Sequence, residues 1–127
     1  MDKRVSIKSL HLEYRLWIAE LNYDINLLRI FNDRLTEIAG SKGQNQQEAV
    51  SGFEKKFSEC RQAIDDLRHR MHIEKMNLAA ESRKNATEDA FIPTPEQYAG
   101  LRDDFFAYRI RFKETKTEFL RFENQVG

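Results

Sequence analysis

The feature that most constrains this chain is its first apolar segment, residues 7–38, which carries two apolar stripes at helical spacing. The first stripe recurs in steps of three and four residues, which places side chains on one face of an α-helix. Its members are Ile7, Leu10, Tyr14, Trp17, Leu21, Leu28, Phe31, Leu35 and Ile38. A second ridge on another face comprises Leu12, Leu16, Ala19, Tyr23, Leu27 and Ile30. A helix that is apolar nearly all round is buried nearly all round, so we expect both faces to be covered.

Helix start and stop signals predict three helices, at about residues 5–39, 45–85 and 95–125, with a loop at 86–94. Gly40 and Gly43 can supply a left-handed cap after the first helix, and Asn45 with Glu48 has the spacing of a capping box. Pro95 suits the first position of the third helix. The second seam comprises Val50, Phe53, Phe57, Cys60, Ile64, Leu67, Met71 and Leu78, and the third comprises Tyr98, Leu101, Phe105, Tyr108, Phe112, Thr115, Phe119, Phe122 and Val126.

Three long helices with short connections most simply fold up-down-up, with their apolar seams facing one axis. We therefore predict an all-α fold, an elongated, coiled-coil-like antiparallel three-helix bundle, as a single domain over residues 1–127. One signal conflicts with this. Alternation in steps of two, at residues 10–18 and 106–112, is typical of half-buried strands. We expect helices there, because neither run is flanked by turn residues.

The charge balance bears on the partners of this chain. Its 21 basic and 21 acidic residues cancel, which does not favour binding to nucleic acid or to an anionic membrane. Arg15, Arg68, Arg70, Lys75, Arg109, Arg111 and Lys113 could cluster at one level, but acidic neighbours would dilute that patch. A nucleic-acid accessory role stays an alternative, and it predicts binding that weakens steeply with salt. No long apolar run suggests a signal peptide or membrane span, so we expect a cytoplasmic protein.

The second ridge points to association. Phe106, Ile110 and Leu120 lie away from the third seam, and with Leu12, Leu16, Tyr23, Leu27 and Ile30 they could form one lateral patch. Alternatively, these residues widen the core. If the patch is real, a homodimer or a helical partner protein would cover it, with Tyr23, Phe106 and Trp17 as aromatic anchors. The sequence therefore predicts a protein-protein interaction or assembly module, such as a scaffold.

Chemical motifs are sparse. The chain has no glycine-rich phosphate loop, nucleophile elbow or paired-cysteine motif, so we expect neither an enzyme nor a cofactor. Three polar residues fall on seam positions, Asp24, Glu74 and Thr115, where they could fix the register of the helices. The principal alternative function is a metal- or small-ligand-binding bundle that uses His11, His69, His72 and Glu74.

Overall fold

A computed structural model describes residues 4–41, 46–85 and 90–126, except for the side chain of Asn85. The elements are strand β1 (Arg4–Ser6), helix α1 (Ile7–Gly40), helix α2 (Gln47–Asn85), strand β2 (Phe91–Pro93) and helix α3 (Glu96–Val126). The chain is an all-α three-helix bundle, as predicted, and the helix ends lie within two residues of the predicted ones. None of the described helices is apolar enough over a sufficient length to cross a membrane.

Cross-helix contacts give the direction of each helix. Going along α1, Glu13, Asp24 and Arg34 contact Tyr98, Tyr108 and Glu123 of α3 in the same order. Going along α2, Lys56 and Arg70 contact Glu118 and Asp104 of α3 in the reverse order. Helices α1 and α3 therefore run in the same direction, and α2 runs against both. At 1.5 Å per residue, each helix is roughly 45 to 60 Å long.

The three predicted seams form the core. Every predicted seam residue of α1 and α2 is buried, and on α3 only Tyr98, Phe122 and Val126 are partly exposed. Two aromatic groups fill opposite parts of this core. The phenylalanine cluster consists of Phe31, Phe53, Phe57, Phe119 and Phe122. The tyrosine cluster consists of Tyr14, Trp17, Tyr98, Phe105 and Tyr108.

The predicted loop at 86–94 is wrong in part, because Phe91–Pro93 forms strand β2. It pairs antiparallel with β1, placing Val5 opposite Ile92, whose side chain is buried. The backbone N–H of Ile7 donates to the carbonyl oxygen of Ala90 at 3.0 Å. This short pairing closes one end of the bundle. Residues 86–89 lie outside the described residues.

The predicted capping residues between α1 and α2 also need correction. The last residue of the helix is Gly40, and the cap is Ser41, whose backbone N–H and hydroxyl both donate to the carbonyl oxygen of Ile38. Gly40 is still helical and does not adopt the left-handed conformation, while Gly43 and the predicted cap Asn45 lie outside the described residues. The strand alternative is wrong, since residues 10–18 and 106–112 are helical.

Candidate interaction surface

The two apolar stripes of α1 differ in their exposure to solvent. The first is buried, whereas the second, which we call the α1 stripe (Leu12, Leu16, Ala19, Tyr23, Leu27 and Ile30), lies mostly on the surface. Leu16 and Tyr23 each leave 61% of their surface exposed. Only Leu27 packs against the core. The alternative that these residues widen the core is therefore wrong for all of them except Leu27.

Helix α3 continues this apolar surface beside α1. A surface cleft of about 610 Å³ lies between α1 and α3. Four of the eight predicted interface residues line it. They are Tyr23 and Leu27 from α1 and Phe106 and Ile110 from α3. The predicted patch is therefore continuous at its centre. Leu120 is exposed, but it does not line this cleft.

Aromatic and cationic neighbours hold Phe106 at the cleft. Its ring meets the edge of Trp17 with centroids 6.3 Å apart, and the Arg109 guanidinium lies 5.7 Å from its centroid. Arg109 also pairs with Glu20 across the cleft at 3.1 Å. Trp17 itself is buried, so its predicted role as an interface anchor is wrong. Trp17 instead contacts the exposed Phe106 ring from the core of the bundle.

Asp24, which lines the cleft, forms a buried hydrogen bond with α3. The Tyr108 hydroxyl donates to Asp24 Oδ2 at 2.7 Å, and Asp24 is only 8% exposed. Burial raises the pKa of Asp24, and the hydrogen bond from Tyr108 and the charges of Lys116 and Arg109 oppose that rise. Asp24 thus links α1 to α3 at one level of the bundle, as expected of a polar residue that fixes register.

The other two polar seam residues are also buried. Thr115 hydrogen-bonds with the Cys60 side chain, and burial raises the pKa of that thiol. Burial raises the pKa of the Tyr14 phenol, and the nearby charge of Glu74 raises it further. The Tyr14 hydroxyl is buried and has no hydrogen-bond partner among the described residues. These contacts place all three polar residues inside the bundle.

The structure does not bring the four metal-ligand candidates together. His69 and His72 are exposed on α2, Glu74 is buried in the seam, and His11 lines a separate cleft between α1 and α2. Among the described residues, no group of three or more His, Cys, Asp or Glu side chains is arranged to hold a metal ion. The arrangement of the described residues therefore gives no support to a metal site at these four positions.

Sequence reasoning missed two surface features. Ile73 and Met76 are exposed on α2, although they belong to no predicted stripe. The second cleft between α1 and α2 was also not predicted, because its lining comes from distant parts of the chain. The suggested basic patch is divided, since Arg15 lines this second cleft while Arg109 and Lys113 line the first.

Comparison with known protein families, with curated proteins and with solved structures finds no match for this chain. The fold and the two clefts therefore define it as a three-helix bundle with an exposed apolar face, and the function has to be argued from that surface.

Proposed function

We propose that this chain is a non-enzymatic assembly module that forms a homodimer through the α1 stripe and the adjacent face of α3. The observation that carries the proposal is the exposure of Leu12, Leu16, Tyr23 and Ile30 on one face of a rigid helix. The stripe from Leu12 to Ile30 extends about 27 Å at 1.5 Å per residue. Exposed apolar surface that is contiguous over such a length is typical of an interface.

A second copy of the chain is the occupant that the stripe fits best. A twofold dimer covers the same surface on both subunits. When two α1 helices cross antiparallel with the axis near Leu21, Ala19 of one copy faces Tyr23 of the other, so a small side chain meets a large one. The same register places Leu12 opposite Ile30 and brings Leu16 within one residue of the level of Leu27. All members of the stripe then have apolar partners.

Charge supports the same register at the ends of the stripe. Lys8 and Asp33 lie on the flank of α1 that faces α2, and both are exposed. With the axis near Leu21, each Lys8 comes within one residue of the level of Asp33 of the other copy, on the same flank of the pair. Opposite charges at the rim favour the correct orientation more than they add affinity.

Helix α3 contributes an aromatic anchor at the same level. Phe106 contacts Trp17 of α1, and Tyr108, two residues further along α3, contacts Asp24, so Phe106 lies between these levels, near Leu21, and the two Phe106 rings would meet close to the axis. Aromatic side chains near the centre of an interface commonly carry much of its binding energy. Because Trp17 and Arg109 already hold the ring, little side-chain entropy is lost on binding.

The first test is solution mass by sedimentation velocity up to about 100 µM, since interfaces of modest affinity dissociate in this range. We expect a wild-type dimer and a folded monomer for the Leu16→Glu, Tyr23→Glu double variant. The matched control is Ile73→Glu, Met76→Glu, which places the same charges on exposed apolar positions outside the stripe. A monomeric wild type, or a control variant that also dissociates, would contradict the proposal.

Charge reversal tests the register separately. We expect Lys8→Glu and Asp33→Lys each to weaken the dimer by about twofold to fivefold, and the double variant to restore it, since the reversed pair is again complementary. If both single variants weaken the dimer and the double variant weakens it further, the dimer stands but the antiparallel register is wrong.

A heterologous helix in the cleft between α1 and α3 is the alternative partner. Lys113 and Lys116 line this cleft, and neither forms an ion pair with a described carboxylate. An amphipathic helix with acidic residues on one flank would suit that wall. A wild-type monomer in the sedimentation experiment would favour this partner over a second copy.

The alternative function as a ligand-binding bundle retains one supporting observation, the position of His11. Of the four candidate residues, it alone lines the second cleft.

A further inference from the structure

The second cleft lies between the beginning of α1 and the end of α2 and has a volume of about 480 Å³. Its floor is apolar, and its rim carries cations from both helices. The apolar lining, which we call the floor, consists of the buried Ile7 and Leu78, the partly buried Ala79 and the half-exposed Leu12, and the polar lining, which we call the rim, consists of Lys8, His11, Arg15, Ser82 and Arg83. No acidic residue is part of this lining.

The position of the charges on α1 explains why the rim is cationic in a chain with no net charge. Lys8 and Arg15 face α2, whereas the neighbouring carboxylates face α3. Glu13 accepts a hydrogen bond from the Tyr98 hydroxyl at 2.7 Å, and Glu20 pairs with Arg109 at 3.1 Å. The acids that are close in sequence are thus engaged on the opposite side of the helix.

The rim cations keep their charge unopposed within the described chain. None of the described carboxylates forms an ion pair with Lys8, Arg15 or Arg83. Three like charges around one apolar floor repel each other, and an anion bound among them would relieve that repulsion. An aliphatic group that covers the apolar floor would add favourable binding free energy, because apolar surface is removed from water.

We propose that this cleft binds a single-chain aliphatic phosphate monoester, with the phosphate held by Lys8, Arg15 and Arg83 and the chain lying on Leu12 and Leu78. A phosphate monoester carries nearly two negative charges and three strong acceptor oxygens, which matches three cations better than a carboxylate does. Ser82 and His11 can donate further hydrogen bonds. A nucleic-acid strand fits less well, because the lining contains no aromatic ring on which a base could stack.

Isothermal titration calorimetry of the full chain with dodecyl phosphate, below its micelle concentration, tests the proposal. We expect saturable binding with a Kd below about 100 µM that weakens as salt rises. Dodecanoate should bind at least about fivefold more weakly, and dodecanol or inorganic phosphate should show no saturation below about 1 mM. These ligands separate the contribution of the head group from that of the chain.

The test variant is Arg15→Gln, Arg83→Gln, and the matched control is Lys113→Gln, Lys116→Gln, which removes the same charge from the other cleft. Both arginines are exposed, so the variant should fold, and circular dichroism checks this. We expect the test variant to bind dodecyl phosphate about tenfold or more weakly and the control to bind as wild type. The proposed dimer would share Lys8 and Leu12 with this cleft, so the titration is repeated on Leu16→Glu, Tyr23→Glu, in which both residues are free and the affinity should be at least that of wild type.

Three results would overturn the proposal. Inorganic phosphate that binds as tightly as dodecyl phosphate would show that the floor takes no part. Dodecanoate or dodecanol that binds equally well would show that the phosphate is not recognised. Equal loss of affinity in the test and control variants would show that net charge, and not this cleft, drives binding.

Discussion

The phenylalanine cluster and the tyrosine cluster are both aromatic, but they hold the bundle in different ways. In the phenylalanine cluster, five rings contact each other with centroids 5.1 to 6.4 Å apart and carry no polar atom. In the tyrosine cluster, the hydroxyls of Tyr98 and Tyr108 each donate to a carboxylate of α1 at 2.7 Å. Apolar contact is tolerant of small shifts, whereas a buried hydrogen bond requires one alignment.

This difference is related to where the candidate surface lies. The cleft between α1 and α3 lies over Asp24 and beside Phe106, both of which contact the tyrosine cluster. A surface that recognises a partner needs its side chains at defined positions. We infer that the phenylalanine cluster chiefly supplies stability and that the tyrosine cluster chiefly supplies alignment, at some cost in stability.

The largest expected effect is loss of a ring from the phenylalanine cluster. Phe119 contacts Phe31, Phe53 and Phe57, so Phe119→Ala should lower the free energy of unfolding by about 3 to 5 kcal/mol through loss of burial and creation of a cavity. The matched control is Phe91→Ala, because Phe91 is exposed in β2, and its cost should stay below about 1 kcal/mol. Urea denaturation measures both. Equal costs would refute the assignment of stability to this cluster.

The next effect comes from the buried hydroxyl of Tyr108. Tyr108→Phe keeps the ring but leaves the buried Asp24 without its hydrogen-bond donor, so we expect a loss of about 1 to 3 kcal/mol. Tyr98→Phe is the control, because its bond to Glu13 is only partly buried, and it should cost less than about 1 kcal/mol. If both variants lose the same amount, burial does not distinguish the two bonds. The alignment role would be contradicted if neither variant changes stability or the mass of the dimer.

The pH dependence of stability should also depend on Asp24. Because burial raises its pKa above the ordinary 3.8, the folded protein binds this proton more tightly than the unfolded chain does. The contribution of Asp24 to stability therefore falls as pH rises from about 3.8 through the folded pKa, and is constant above it. Asp24→Asn does not titrate and is the reference. The difference in unfolding free energy between wild type and this variant, measured from pH 3.5 to about 8, should fall with rising pH, and a rise would contradict the raised pKa.

Much of the fold could be predicted, because the seams repeat within each helix and burial follows that repeat. Asp24, Glu74 and Thr115 were identified as seam positions for the same reason. Strands β1 and β2 could not be predicted, since each has three residues and their pairing joins residues 85 positions apart or more. A run of three residues is too short to show periodicity.

The candidate site was predictable to a smaller extent. Periodicity placed Leu12, Leu16, Tyr23 and Ile30 away from the seam, and they are exposed. Periodicity also placed Trp17 in the buried stripe, so naming it as an interface anchor disagreed with its own seam position. Periodicity could not show that Tyr98 and Phe105 are the residues that cover Trp17, because those contacts come from another helix. The basic rim of the second cleft could not be predicted from the sequence for a related reason. The sequence places Glu13 beside Arg15, but the helix turns the two side chains to opposite sides.

The smallest expected effect is the most direct test of what a hydroxyl does in the tyrosine cluster. Tyr14→Phe makes the same chemical change as Tyr108→Phe, but the Tyr14 hydroxyl is buried without a hydrogen-bond partner among the described residues, close to the charge of Glu74. An unpaired buried hydroxyl costs free energy, so its removal should leave stability unchanged or raise it by up to about 1 kcal/mol. Urea denaturation of the two variants side by side measures the contrast. If Tyr14→Phe instead loses as much as Tyr108→Phe, the hydroxyl of Tyr14 has a partner in solution, for which Glu74, whose charge acts on this phenol, is the candidate. Loss of that effect in a Glu74→Gln background would then identify a second buried link, between α1 and α2.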